Sequence, residues 1–235
     1  MIQEAASSDP HVREILSRHP KIERVSEGSH AGVDFRMGSW ERSVVIGDRS
    51  VEIGGLVELI DNNPMVCADI VSVAPPASTL ALIALGPLAW AGLILEPPAI
   101  IGMTPTTEDV GSWLETAGWS GGATSELYPL TEGSALSLVG IAAIATPGDW
   151  NDIDELFDER FSKSFFVRRV NDWTPDMAAN EPFATYHLQY TPGDDASLLR
   201  VSVSANLHGK AGAAQVVHAM NVMAGFEESL GLEEN

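Results

Sequence analysis

The sequence predicts an α/β (α+β) fold: a mixed β-sheet flanked by helices. Three observations carry that prediction. Helix-like and strand-like stretches interleave from residue 70 onward, the turn at 191–196 joins two strands as a hairpin, and 136–145 is an apolar run of central-strand character. Antiparallel hairpins between helical segments exclude a purely parallel sheet and leave a mixed one covered by helices.

Taken in order, residues 10–18 form a short amphipathic helix with Val12, Ile15 and Leu16 on one side. Residues 21–25 suit a strand. The stretch before the helix, MIQEAASSD, offers neither strand nor glycine. Residues 44–46 and 51–53 flank Gly47-Asp48 as a hairpin. Residues 78–92 suit a buried helix and 99–103 a strand. The helix at 149–162 has Asp149 as its cap, acidic first turns and a stripe of Ile153, Leu156, Phe157 and Phe161. Strands at 165–170, 184–190 and 198–205 follow. The last helix spans 209–226, with Val216, Val217, Met220 and Met223 at 3–4 spacing, and Gly225 stops it.

At 235 residues with 45% apolar content the chain can bury a real core. Its single cysteine, Cys67, excludes internal disulfides and cysteine-based zinc sites, and the expected setting is a reducing cytoplasm. No signal peptide is evident. The uncharged window 79–95 is slightly short for a membrane span, Pro87 interrupts it, and no basic flank follows, which favours a buried helix. Thirteen basic residues against thirty-three acidic ones give a net charge of −20, with Lys21, Lys163 and Lys210 as the lysines. Such a surface repels nucleic acid and anionic membranes, and suits a saline, halophile cytoplasm.

The C-terminal stretch Asn206-Leu-His-Gly-Lys-Ala-Gly-Ala-Ala-Gln215 and the following VVHAMNVMAGFEESLGL resemble the C-terminal signature of the N-acetyl-gamma-glutamyl-phosphate reductase family, arginine-pathway enzymes of the semialdehyde dehydrogenase superfamily. Lys210, Gln215, Met220, Asn221, Met223, Gly225, Glu228, Gly231 and Leu232 keep its register. RHPKIERV (18–25), VDFRM (33–37), GLVEL (55–59) and LALIALGPL (80–88) resemble further family landmarks. The resemblance implies that residues 1–69 are a remnant of the nucleotide-binding domain and 70–235 the catalytic and dimerisation domain. It also implies an NADP-dependent acyl-phosphate reductase with a cysteine nucleophile and a histidine acid/base.

Those parts are missing. Aligned on residues 80–88, the nucleophile turn falls on Val73-Ala74-Pro75-Pro76-Ala77-Ser78-Thr79, and Pro76 takes the cysteine's place. Proline has no group that attacks a carbonyl. Cys67, nine residues too early, is expected to be an inert buried thiol. Ser78 needs a base that the sequence does not supply, and with Thr79 it serves as a helix cap. The segment corresponding to the family's histidine motif, residues 118–133, has neither histidine nor arginine. The six histidines show no metal-ligand spacing, and His208 and His218 are expected to face solvent or pair with backbone. Lys210 and Gly212, opening the last helix, are the one candidate anion or cofactor site.

The expectation is therefore a catalytically inactive relative without cofactor. Its partners would be a second copy or an active relative, since the family pairs subunits through the apolar face of its sheet. The alternatives are an active NADP-dependent reductase using Cys67 or Ser78, and a small-ligand module lined by Trp119, Trp150 and Trp173.

Overall fold

A strand that the sequence does not announce opens the fold. In the computed structural model, which describes residues 1–105 and 108–232, Glu4–Ser7 (β1) alternates half-buried and buried positions. It pairs in parallel with Val25–Glu27 (β2) and antiparallel with Val33–Met37 (β3). Four residues with a wet glutamate carry too little apolar signal, and the pairing partners decide the conformation. The helix Pro10–Arg18 (α1) connects β1 to β2 as expected. Asp9 accepts from His11 N at 2.7 Å and Val12 N at 3.4 Å, and Pro10 sits where no N–H is needed. Residues 21–24 are not strand; Ile22 forms only a bridge with Ile2.

The expected hairpin around Gly47-Asp48 is also replaced. Trp40–Ile46 (β4) turns back on β3 through Gly38, whose φ of 66° favours glycine. On its other side β4 pairs in parallel with Ile70–Val73 (β6), which also holds Gly54–Gly55 (β5). Residues 51–53 belong to no strand. The six strands run in the order β2-β1-β3-β4-β6-β5. Two further helices, Asn62–Cys67 (α2) and the C-terminal Ala213–Ala224 (α6), join α1 in covering one face. The other face is wet and laced with charge: Arg24 and Arg36 meet Glu4 at 2.7 and 3.7 Å, and Asp34 accepts from His30 and Ser43. Polar side chains stand where a doubly wound sheet carries helices.

The helix Pro76–Trp90 (α3) follows β6 directly. Every residue from Ala77 to Ala89 is buried, so the apolar window is a core helix, and no helix among the described residues is long and apolar enough to cross a membrane. It lies against the second sheet, built from Ala99–Thr104 (β7), Thr124–Pro129 (β8), Ala135–Ala145 (β9), Val167–Arg169 (β10), Ala184–Thr191 (β11) and Ala196–Asn206 (β12). The order is β10-β11-β12-β9-β7-β8, with antiparallel pairs at the centre and parallel pairs at both edges. Val110–Leu114 (α4) precedes the edge strand β8; the sequence reading contained neither element.

The helix Asn151–Phe161 (α5) buries Ile153, Phe157 and Phe161 as expected. Its cap position is Trp150, with Asp149 one residue further out accepting from Asn151 N at 2.9 Å. Phe157 stacks on Tyr186 at 5.6 Å and fixes α5 to β11. Residues 209–212 form turns rather than the start of α6. After β12 the chain returns to the first sheet, and α6 is buried along its whole length.

Candidate functional site

Two buried polar centres meet α6. The first is the 74–79 turn, which leads from β6 into α3 and holds Pro76. Three groups lock it. Thr79 Oγ1 donates to Ala74 O at 2.9 Å, and Gln215 Nε2 reaches across from α6 to Ala74 O at 3.1 Å and Thr79 Oγ1 at 2.9 Å. Glu108, from the loop before α4, lays its carboxylate over the start of α3. Its Oε2 accepts from Ser78 N and Ser78 Oγ, each at 3.1 Å, and its Oε1 from Ala77 N at 3.4 Å. The positive end of a fifteen-residue helix thus receives an internal anion.

Ser78 does have a carboxylate partner, which sequence reasoning missed because Glu108 lies thirty positions away with no motif to mark it. The same carboxylate caps the helix, and Ser78 is fully buried, so its hydroxyl meets no substrate. Pro76 lies at the helix start, where its missing N–H costs nothing. Cys67 is not the buried thiol expected: it is exposed at the carboxyl end of α2.

The second centre contains Lys210, and it is closed. Lys210 Nζ is fully buried and pairs at 2.8 Å with Glu58 Oε1, whose side chain is 3% exposed. Ser164 Oγ donates to the same Glu58 oxygen at 2.9 Å. Lys210 Nζ also lies 3.3 Å from His218 Nδ1, while His218 Nε2 lies 3.0 Å from Glu228 Oε2. An ammonium is only a donor, so Nδ1 accepts and the neutral ring donates from Nε2 to Glu228. Burial lowers the His218 pKa, and the Lys210 charge lowers it further. Burial alone would raise the Glu58 pKa, but the charge and hydrogen bond of Lys210 overcome it and hold the carboxyl below its usual range. Burial lowers Lys210 against the pull of Glu58. Phe166 stacks on His218 at 4.2 Å and seals the group.

Lys210 therefore directs its charge into the core. The turn around Gly212 is equally occupied: Ala214 N, Gln215 N and Val216 N donate to carbonyls of residues 208–212. His218 is buried among side chains rather than facing solvent or backbone, whereas His208 is exposed and stacks on His11 at 3.6 Å. Trp150 packs on Tyr190 and Trp119 donates to Gly122 O; the described ring contacts bring none of the three tryptophans together. No group of three or more His, Cys, Asp and Glu residues fit to hold a metal occurs among the described residues.

The signature residues now have physical roles. Gln215 holds the 74–79 turn, and Asn221 donates to Glu228 O and Leu230 O, each at 3.0 Å. Gly225 ends α6 at φ 68°. A Cβ on Gly231 would meet the His19 ring at 2.6 Å. The signature locks the C-terminal segment onto the first sheet.

The fold is that of the semialdehyde dehydrogenases. The chain is similar to the crystal structure of aspartate semialdehyde dehydrogenase II from Vibrio cholerae, with a TM-score of 0.65 and 8% identity over 95% of this chain and 98% of that one. No family model matches the sequence, and no curated protein matches it.

Proposed function

We propose that this chain is a catalytically inactive relative of the N-acetyl-gamma-glutamyl-phosphate reductases that acts through assembly, with a second copy of itself or with an active relative. The observation that carries the reading is the 74–79 turn. A proline stands where the resemblance puts the thiol, and Glu108 fills the helix end beside it. A carboxylate already accepting those N–H groups competes with any anionic substrate for them. The strand β1 runs into Ser8-Asp9-Pro10, with no glycine to let a pyrophosphate approach the backbone.

Assembly is supported by the outer face of the second sheet. On the face turned away from α3, Ile101 and Met103, 44% and 45% exposed, stand opposite Val139 and Ser137, and the exposed Leu198 stands opposite Ala143, with Ile141 between Arg200 and Ala99. Three large apolar side chains exposed on one sheet face of a chain this acidic support an interaction surface there. The acidic surface itself suits a saline cytoplasm.

In molar KCl, calorimetry with NADPH is expected to show no binding, and light scattering a mass at or above twice the 25.1 kDa of one chain. Ile101→Arg, on a position that is already exposed, is expected to return the protein to monomer without unfolding it. Micromolar NADPH binding would restore the reductase reading, and a strictly monomeric wild type would remove the assembly reading.

A further inference from the structure

The two unpaired arginines of one cavity point to a ligand. A cavity of about 600 Å³ lies between α1, β10, the 180–183 loop and the 206–209 turn, with Leu232 at its border. That volume lies in the range of small-molecule sites. Among the described residues, its charged and titratable lining is Arg18, Arg168, His208 and one acid, Glu181. The balance is the reverse of the whole chain, in which acids outnumber bases thirty-three to thirteen. Among the described residues, Arg24, Arg36, Arg49 and Arg169 pair with acids, whereas Arg18 and Arg168, like Arg13, Arg42, Arg160 and Arg200, have no carboxylate within ion-pair distance; Arg18 and Arg168 are the two that line this cavity.

Arg168 is also held in place. Its guanidinium lies 3.6 Å over the Phe183 ring and 4.8 Å from that of Phe165, and its Nε donates to Phe165 O at 3.3 Å. Stacking fixes the plane and leaves the two terminal amino groups as a fork for an oxyanion. The rest of the wall is mixed: Ile15, Phe165, Pro182, Phe183 and Leu232 give it an apolar side, and Asn180 and Asn206 add neutral polar groups. His208 is fixed by its stack on His11.

We propose that this cavity binds a small organic anion, a carboxylate or phosphate group on an apolar body, with Arg168 and Arg18 taking the charged group and the phenylalanine wall taking the body. The site is separate from the 74–79 turn and from the outer face of the second sheet, so its failure leaves the assembly reading untouched.

Phenyl phosphate and benzoate are the probes, titrated into the full chain at about 0.1 M salt, where charges within about 10 Å still act on a ligand. Binding near 1 mM, typical of a minimal fragment, is expected to shift the amide NMR signals of residues 165–168, 181–183 and 208–209. Arg168→Ala is expected to weaken it at least about tenfold, with Arg168→Lys failing to restore it because a point charge lacks the planar fork. Arg18→Ala is a second, exposed variant that leaves the aromatic stack intact. Preference for one probe assigns the anion as phosphate or carboxylate and supports the site either way. Absence of shifts at about 10 mM, an unchanged affinity in both variants, or equal binding of neutral benzyl alcohol would overturn it.

Discussion

Lys210→Ala is expected to destabilise the protein by about 3–5 kcal/mol, the cost of leaving a buried carboxylate without its counter-charge. Glu58 has no route to water: its side chain is 3% exposed, and its second oxygen, Oε2, is buried without a hydrogen-bond partner. Removing the ammonium leaves Ser164 Oγ and the neutral edge of His218 facing a full negative charge. The double change Glu58→Leu with Lys210→Met removes both charges and is expected to recover most of the loss, since an ion pair this dry is worth little more than an apolar replacement. Urea unfolding at fixed KCl measures both. A loss below about 1 kcal/mol in the single variant would mean that water reaches Glu58.

The same centre makes the fold acid-sensitive, and two groups act with one sign. His218 has a folded pKa below its unfolded value, so the unfolded chain takes up protons first. The stability it contributes is complete above about 6.5 and declines as pH falls below that value. Glu58 also has a depressed folded pKa. Its contribution is present above the ordinary carboxylate range near 4.5 and is lost as pH falls through the folded value.

This centre also shows where the sequence can be read and where it cannot. Lys210, Gln215 and Asn221 stand out as a signature, and the fold they imply is the one found. Their tasks are invisible locally, because the partners Glu58, Ala74 and His19 lie in distant parts of the chain. A lysine beside a glycine-rich helix start suggests an anion site; a glutamate in a distant 3-10 turn, Val57–Leu59, cancels its charge. Glu108 is a similar case, an acid in an unmarked loop whose meaning comes from the helix end it reaches.

Among the elements, α1, α5 and β9 are legible because each carries its own period, cap or length. The strands β1, β5 and β8 are not. They are short or lie near a sheet edge, and the neighbouring strand rather than their composition makes them extended. The misplaced hairpin has the same origin: Gly47-Asp48 offers an adequate turn, but β6 takes the edge of β4 that the hairpin would have used.

The helix α3 is the strongest test of the core. It is apolar on every side, and β9 comes so close that a Cβ on Gly140 would sit 3.0 Å from Leu85 Cγ and 3.1 Å from Ala84 Cβ. With the sheet backbone against it, the helix cannot move inward to fill a void. Leu85→Ala should therefore leave a cavity and cost about 2–5 kcal/mol, toward the upper end because the site collapses poorly. The urea midpoint should fall with an unchanged slope. The 74–79 turn should nevertheless keep its geometry, because Gln215 and Glu108 hold it from outside α3. Unshifted amide NMR signals at Ala77 and Ser78 alongside the stability loss would separate the two effects. Movement of those signals in Leu85→Ala would mean that α3 alone positions the turn, and that the carboxylate over its end only follows.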